Sequence, residues 1–431
     1  MQQARSPSTI RRILRRVAPL RRAYGMIQVL FPLVRLVEGR LRGSDLSLRC
    51  LFVGDGHFRN NLLARMYAGA PTVLGTWRTL GPLLRMTVRR RRGEFDLCIV
   101  TLPQGYDSLL GRHCDFKGRE FVRQVVDTAG DWEAVRRKFS SRRRAEAKTV
   151  LARHGLSLRA SNEPADLEYF YQRMYVPYVR SRHGALAVVT PIEKIRTWFK
   201  DGFLQLVTRE GLAVAGVLSE VDGDRLVALR LGILDADPAL VRCGALTAIY
   251  LFQLQFAVNR GLREVDLRYS NPFLDDGVFR HKALWGARAV SDHESGTNRV
   301  FYFVAGPSSK LAHFFAQNPL IVEIEGRLGV VVGDPSTGAT APLSEAEVRR
   351  RYHTAGIDDI VIATPERFAD GRSEQQNMGA ASRTQNDASP DRSVRNVRQT
   401  SRRPRVSSAA SMFKLSETAV GISDGSEAGG T

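Results

Sequence analysis

Four cysteines in 431 residues, Cys50, Cys98, Cys114 and Cys243, are too few and too scattered for a disulfide framework. None of them forms a CxxC pair and no histidine stands at zinc-ligand spacing, which argues against a structural metal and for a reduced compartment. Long apolar runs are missing as well. The run 26–37 is broken by Gln28, Pro32 and Arg35 and falls short of the roughly 20 residues that span a bilayer. No small-residue cleavage site follows a clean apolar core, which argues against secretion. Nucleotide fingerprints are incomplete. Gly54-Asp55-Gly56 follows an apolar run, but it lacks both a full Gly-x-Gly-x-x-Gly and a Walker lysine, so an ordinary turn is the simpler reading. Acids are scarce in 5–42, where Glu38 is the only one.

Positive charge is what the chain has in excess. Against 44 Asp and Glu stand 64 Lys and Arg, a net +20, which makes an anionic partner worth considering. The excess is clustered in the N-terminal segment, in VRRRRG (88–93), in VRRKFSSRRRAEAK (135–148) and at Arg349, Arg350 and Arg351. Solvated helix faces account for such runs more often than a nucleic-acid groove does. The segment 1–43 reads as a basic amphipathic helix. A helix on an anionic membrane surface, an organelle transit peptide and a helix docked on the protein's own body all fit it. A cytoplasmic location follows, with peripheral contact at the inner face of a membrane as an open alternative. At 43% hydrophobic content this length can bury a core and suggests two or more domains.

Taken in order, 47–53 (SLRCLFV) and 95–102 (FDLCIVTL) read as buried strands, with 72–77 a third and 58–68 helical, so 44–128 is α/β. A long charged helix is expected over 131–153, with Trp132, Val135, Phe139 and Val150 on its apolar side and Gly155 as its stop. Its Arg142, Arg143 and Arg144 are available to phosphates. A strand at 156–160 precedes a helix opened by Asn162 and Pro164. That helix carries Tyr169, Tyr171, Tyr175 and Tyr178, and Pro177 should kink or end it. After a short helix at 191–201 the period changes. Strands at 203–208, 212–220 and 225–234 are joined by Glu210-Gly211 and Asp222-Gly223-Asp224, both with hairpin chemistry. Farther on, 298–369 reads as a small α/β extension, with Ser344 and Glu347 spaced as a capping box. The Ser-, Arg- and Gln-rich 370–431 is expected to be a disordered tail.

The chain is organised around 244–290. Leu246, Ile249, Tyr250, Leu254 and Ala257 give 244–259 helical spacing, and apolar residues on its other faces imply cover on more than one side. Arg260 and Gly261 supply its stop. Then 264–268 alternates as a half-buried strand, and an amphipathic segment closes on Lys282-Ala283-Leu284-Trp285-Gly286, in which Trp285 and Gly286 read as structural.

Helix, helix, three-stranded meander, helix, strand, helix, strand resembles the GNAT acyltransferase fold, in its branch related to FemAB-like peptidyltransferases. The residues that carry the likeness are KFSSRRRAEAKTVLARHGL (138–156), GLAVAGVLSEVDGDRLVALRLGI (211–233) and NRGLREVDLRYSNPFLDDGVFRHKALWGA (259–287). The resemblance implies an α/β (α+β) fold with a mixed, mostly antiparallel sheet flanked by helices. It places the acyltransferase domain at 129–297 and extends to a degenerate tandem copy in 44–128. It further implies an N-acyltransferase that takes acyl-CoA (acetyl-CoA) as co-substrate, with no permanently bound cofactor. The thioester arm would lie between the strands 225–234 and 264–268. Leu231, Gly232 and Ile233 would contact it and supply an oxyanion donor. Arg242, Cys243, Gly244 and Ala245 at the helix start would meet its pyrophosphate. Tyr269 is expected as acid or substrate contact, and Asp266 and Glu220 as carboxylates that hold or deprotonate the amine. Ser270, Asn271, His281, Lys282 and Tyr178 are expected on the acceptor side. The family's Gln/Arg-x-x-Gly-x-Gly/Ala signature is only partly kept: Arg242 lies two residues before Gly244, and Leu246 stands where the last small residue belongs.

Two other readings stay open. An aminoacyl-tRNA donor would use the arginine runs along RNA. A non-catalytic basic scaffold would bind an anionic membrane or nucleic acid through 1–43. An amino sugar, a peptide amine or an amino acid is the acceptor that fold-level analogy offers.

Overall fold

A computed structural model describes residues 30–54, 57–103, 110–184, 187–291, 298–306, 308–334, 344–352 and 354–363. The expected basic start 1–29, Asp55-Gly56 and the tail 370–431 lie outside them. Strands β1 (Leu33–Arg40) and β2 (Ser47–Val53) are followed by α1 (His57–Met66), β3 (Thr72–Arg78), α2 (Leu84–Arg90), β4 (Leu97–Leu102), β5 (Phe116–Arg119) and β6 (Val122–Asp127). The helix expected over 1–43 is therefore corrected at its described end. β1 pairs antiparallel with both β2 and β3, and two ladders of backbone hydrogen bonds outweigh the local helical pattern.

Next come α3 (Trp132–Arg137), α4 (Ser141–His154), β7 (Leu156–Ser161), α5 (Pro164–Tyr169), a π-helical turn (Phe170–Tyr175), α6 (Val176–His183), α7 (Ile192–Phe199), β8 (Gly202–Arg209), β9 (Leu212–Asp222) and β10 (Arg225–Ile233). The single helix expected over 131–153 breaks between α3 and α4. Ser140 caps α4 by accepting from Arg143 N–H, and Phe139 turns inward between Trp132 and Trp285, with ring centroids 5.9 and 5.1 Å away. Pro177 does not end its helix. It stands in the first turn of α6, just after the wide π turn, where a missing N–H does least harm.

The chain then forms α8 (Pro238–Arg242), α9 (Ala245–Asn259), β11 (Glu264–Ser270), α10 (Gly277–Ala283), β12 (Arg288–Val290), β13 (Arg299–Val304), α11 (Ser309–Gln317), β14 (Leu320–Ile324), β15 (Arg327–Gly333), α12 (Glu345–Tyr352) and β16 (Asp359–Ala363). The Ser344 and Glu347 side chains exchange the reciprocal hydrogen bonds of a capping box ahead of α12.

Two mixed sheets result. Nine strands run in the order β16-β15-β14-β5-β13-β4-β2-β1-β3, and seven in the order β12-β6-β11-β10-β9-β8-β7. Residues 298–363 are thus not an appended unit: β13 inserts between β4 and β5 and completes the first sheet. For the same reason 44–128 does not form a self-contained copy, since β1 and β13 to β16 lie outside it. β6 belongs instead to the second sheet, between β11 and β12. An alternating sequence fixes which face a strand buries but not its partner.

The second sheet carries the meander β7 to β10, all antiparallel, followed by the parallel neighbour β11. This is the strand order that the resemblance to the GNAT fold implies. α9 lies on one face, with Ala248, Ile249, Leu251, Leu254 and Ala257 buried against Val217, Leu226 and Val265 and covered from outside by Phe139 and Val150. Cover on both sides explains its lack of a polar stripe. Burial of each large side chain there stabilises the fold by roughly 1.5–3 kcal/mol. The opposite face is covered by the π turn and α7 through Phe170, Met174, Tyr175 and Ile195.

Candidate active site

The site begins where two parallel strands part. β10 and β11 pair only at Arg225↔Glu264, Leu226↔Val265 and Val227↔Asp266. Just beyond, each strand is bent by an irregularity: β10 slips against β9 between Ala228 and Arg230, and β11 slips against β6 between Asp266 and Tyr269. Arg268 sits in that second slip with φ +61°, a conformation that turns a strand away from its neighbour. From Ala228 to Ile233 on one side and from Leu267 to Ser270 on the other, two strand edges diverge without pairing to each other. Every second backbone amide on such an edge points into the gap, so an extended molecule can be held there as an added strand would be. Leu231, Gly232 and Ile233 lie along the β10 edge. Gly232 has a second role. A Cβ there would stand 2.5 Å from Met174 C and Tyr175 N, so the π turn packs flush against the strand.

Glu220 and Asp266 flank Val227 in one row across the sheet, Glu220↔Val227↔Asp266, and therefore project from the same face. Their circumstances differ. Asp266 is buried and both its oxygens are engaged: Oδ1 accepts from Arg268 N–H at 2.7 Å, and Oδ2 faces Arg123 Nε at 3.2 Å. Glu220 is half-buried and makes no ion pair among the described residues. Burial pushes its carboxyl above the usual range, Arg268 opposes that, and Asp222, Asp201 and Asp266 add to it.

Lys282 of α10 is only 4% exposed and reaches the bend in β11, donating to Arg268 O (3.2 Å), Tyr269 O (2.9 Å) and Ser270 Oγ (3.1 Å). Ser270 in turn donates to Gln124 Oε1 at 2.7 Å, and Asn271 donates to Asp276, the cap of α10. These residues fasten the turn after β11. Lys282, expected on the acceptor side, is buried against this bend rather than exposed on its helix. Burial pulls the Lys282 ammonium down to about 7, with Asp266 and Asp276 resisting. The unfolded chain holds that proton to about pH 10.4, whereas the folded one releases it near 7, so raising the pH between these values favours folding. In urea titrations the stability of wild type relative to Lys282→Met should therefore climb from pH 7 to pH 10. Parallel curves would contradict the placement of this amine.

A second polar group joins α4, α9 and α10. The Arg143 guanidinium bridges Glu146 (2.5 Å), Thr247 Oγ1 (3.1 Å) and His281 Nδ1 (3.3 Å), and Thr247 donates to Glu146 at 2.7 Å. Trp285 Nε1 lies 3.4 Å from His281 Nε2, and Tyr250 stacks on the indole at 5.6 Å. Burial, with Arg143 adding to it, lowers the His281 imidazole to about 4, so at neutral pH it is uncharged and a weak base. Arg143, read from sequence as a phosphate contact, is turned inward. The spacing of Arg143 and Glu146 on one helical face signals a pair, but nothing in the sequence shows which way it points. Tyr178 is half-buried against the α9 core, with its hydroxyl 3.3 Å from Arg182 Nε. Tyr269 is half-buried beside the Phe121 ring, its own ring under the Arg268 guanidinium.

At the start of α9 the geometry is tighter than the sequence suggests. Cys243 N–H donates to Ala239 O and Gly244 N–H to Val241 O, both inside the extra turn of α8. Ala245 is buried, and Gly244, at φ +84°, lies against Val150 of α4. Of the expected pyrophosphate contacts, Arg242 remains exposed and Cys243 half-exposed, whereas Gly244 and Ala245 are buried.

No family model matches the chain, and no curated protein does. Solved structures do. One of FemX is 12% identical with a TM-score of 0.36, over 63% of this chain and 84% of that one. L-PGS from Bacillus licheniformis is 11% identical with a TM-score of 0.33, over 62% and 83%. The ribosomal-protein-S18-alanine N-acetyltransferase from Escherichia coli is 12% identical with a TM-score of 0.25, over 35% and 94%. Likenesses this distant decide nothing about substrate or chemistry. No helix among the described residues is long and apolar enough to cross a membrane, and no cluster of metal-ligating side chains occurs among them.

Proposed function

We propose that the chain is an N-acyltransferase that moves an acyl group from an acyl-CoA-type thioester to an amine. The observation that carries this reading is the divergence of β10 and β11 after three paired residues, which leaves two unpaired backbone edges facing each other. A pantetheine-like arm fits such a gap because its amides can pair with both edges. A backbone amide of the Leu231–Gly232–Ile233 stretch then donates to the tetrahedral oxyanion. Glu220, the unpaired carboxylate of the row, takes a proton from the incoming ammonium and leaves a neutral nucleophile. Tyr269, past the bend of β11, is the proposed acid for the departing thiolate. Asp266, Arg123 and Lys282 hold the bend and act through it.

Calorimetry with a panel of acyl-CoAs tests the donor. Stoichiometric binding that survives moderate salt is expected, and Arg242→Glu should weaken it by about tenfold through loss of a charge-assisted contact. An aminoacyl-tRNA donor is the second reading, favoured by the exposed Arg142 and Lys148 on the outer side of α4. Absence of acyl-CoA binding, together with tRNA binding that falls steeply with salt, would move the assignment there.

A further inference from the structure

Where β1 enters the first sheet, an apolar corner stands exposed among the described residues. Arg78 Nη1 donates to Phe31 O (2.6 Å) and Thr79 N–H to Pro32 O (3.2 Å), which places the end of β3 beside 30–32. α2 is fastened to the same corner: the Thr79 and Thr87 hydroxyls lie 2.9 Å apart, and the Arg91 guanidinium covers the Trp77 ring at 4.1 Å. This helix turns Leu84 and Val88 into the core, and Leu83, Arg85, Met86, Arg89 and Arg90 on its other side are exposed. Leu30, Phe31, Leu80, Leu83 and Met86 are each between 39% and 46% exposed. Single exposed apolar side chains are ordinary, but five gathered at one corner mark an interaction surface.

The charge around that corner is predominantly positive, and Glu94, just after α2, is paired with Arg91 at 2.7 Å. Residues 74–92 contain Arg78, Arg85, Arg89, Arg90, Arg91 and Arg92 and no acid, and Arg85, Arg89 and Arg90 are exposed on α2. Residues 1–29, which join the corner at Leu30, contain seven arginines and no acid or lysine. Protruding apolar side chains set among arginines, with Glu94 already paired to Arg91, match the boundary between headgroups and acyl chains of an anionic bilayer. There the apolar groups leave water while each guanidinium meets lipid phosphate.

We propose that this corner docks the protein on an anionic lipid surface, with Leu80, Leu83 and Met86 entering the headgroup region and Arg85, Arg89 and Arg90 on lipid phosphates. The surface is separate from the gap between β10 and β11, and its test does not depend on acyl transfer. The full chain should co-sediment with vesicles of phosphatidylcholine containing about one third phosphatidylglycerol and not with phosphatidylcholine alone. Leu83→Ser with Met86→Ser should lower that partitioning by about tenfold although 1–29 is intact. Arg85→Gln with Arg89→Gln and Arg90→Gln should lower it by about a hundredfold, from about 1 kcal/mol per arginine. Because the side chains are exposed, melting temperatures should not move. Wild-type partitioning by both variants would overturn the proposal, as would failure of the wild type to bind the mixed vesicles. Loss in the same variants of a concentration-dependent dimer seen by light scattering would show that a second copy covers the corner, and would overturn it too.

Discussion

Glu220→Gln is expected to lower kcat/KM for the amine acceptor by about 10²- to 10⁴-fold while leaving donor affinity within about twofold. The split follows from position. Glu220 stands one strand away from Val227, the last β10 residue paired to β11, so it faces the opening of the gap rather than the length of it. Its carboxyl is raised by burial and by the acids around it. Only the ionised form can accept a proton, so activity should rise with pH through that raised value, and the rising limb should vanish in the Gln variant. Asp266→Asn is the contrast. It strips a buried partner from Arg123 and should act on stability before catalysis. Activity of Glu220→Gln within threefold of wild type, with the same pH profile, would falsify the assignment of the base.

Gly244→Ala is expected to destabilise the fold by about 2–4 kcal/mol. Two causes add. A backbone at φ +84° is strained for any residue with a Cβ, and that Cβ would stand 2.2 Å from Val150 Cγ2. They can be separated, because Val150→Ala removes the second and leaves the first. In urea unfolding the double variant should recover about 1–2 kcal/mol relative to the sum of the single changes. Strict additivity would mean that α4 does not press on the start of α9. This packing also governs how the donor site can be probed: a bulky residue at Gly244 would report on folding, whereas Arg242 is exposed and reports on binding.

Much of the second sheet is legible in the sequence because its signals are local. The turns Glu210-Gly211 and Asp222-Gly223-Asp224 delimit β8, β9 and β10, and Arg260-Gly261 ends α9 within a residue of where the pattern places it. What the sequence withholds is non-local. Leu33–Arg40 is a strand because β2 and β3 lie on either side of it, and nothing within 33–40 announces them. The fate of 298–363 depends on a vacancy between β4 and β5 that only the folded sheet defines. At the site, Glu220 and Asp266 are both readable as carboxylates near strand ends. Arg123, which separates an engaged acid from an available one, lies on β6, far away in sequence. The positive φ of Arg268 leaves no trace in residue type.

The insertion of β13 between β4 and β5 also has a consequence during synthesis. Val100 of β4 pairs with Phe301 of β13, so at about 5–20 residues per second the ribosome takes roughly 10–40 s to deliver the missing partner. By then all seven strands of the second sheet, ending with β12 at Val290, have been made. The growing chain thus carries one sheet with all its strands made and one with Cys98, Val100 and Leu102 on an unpaired edge. That edge is where a chaperone would be needed, and where a nascent chain stalled before residue 299 would aggregate.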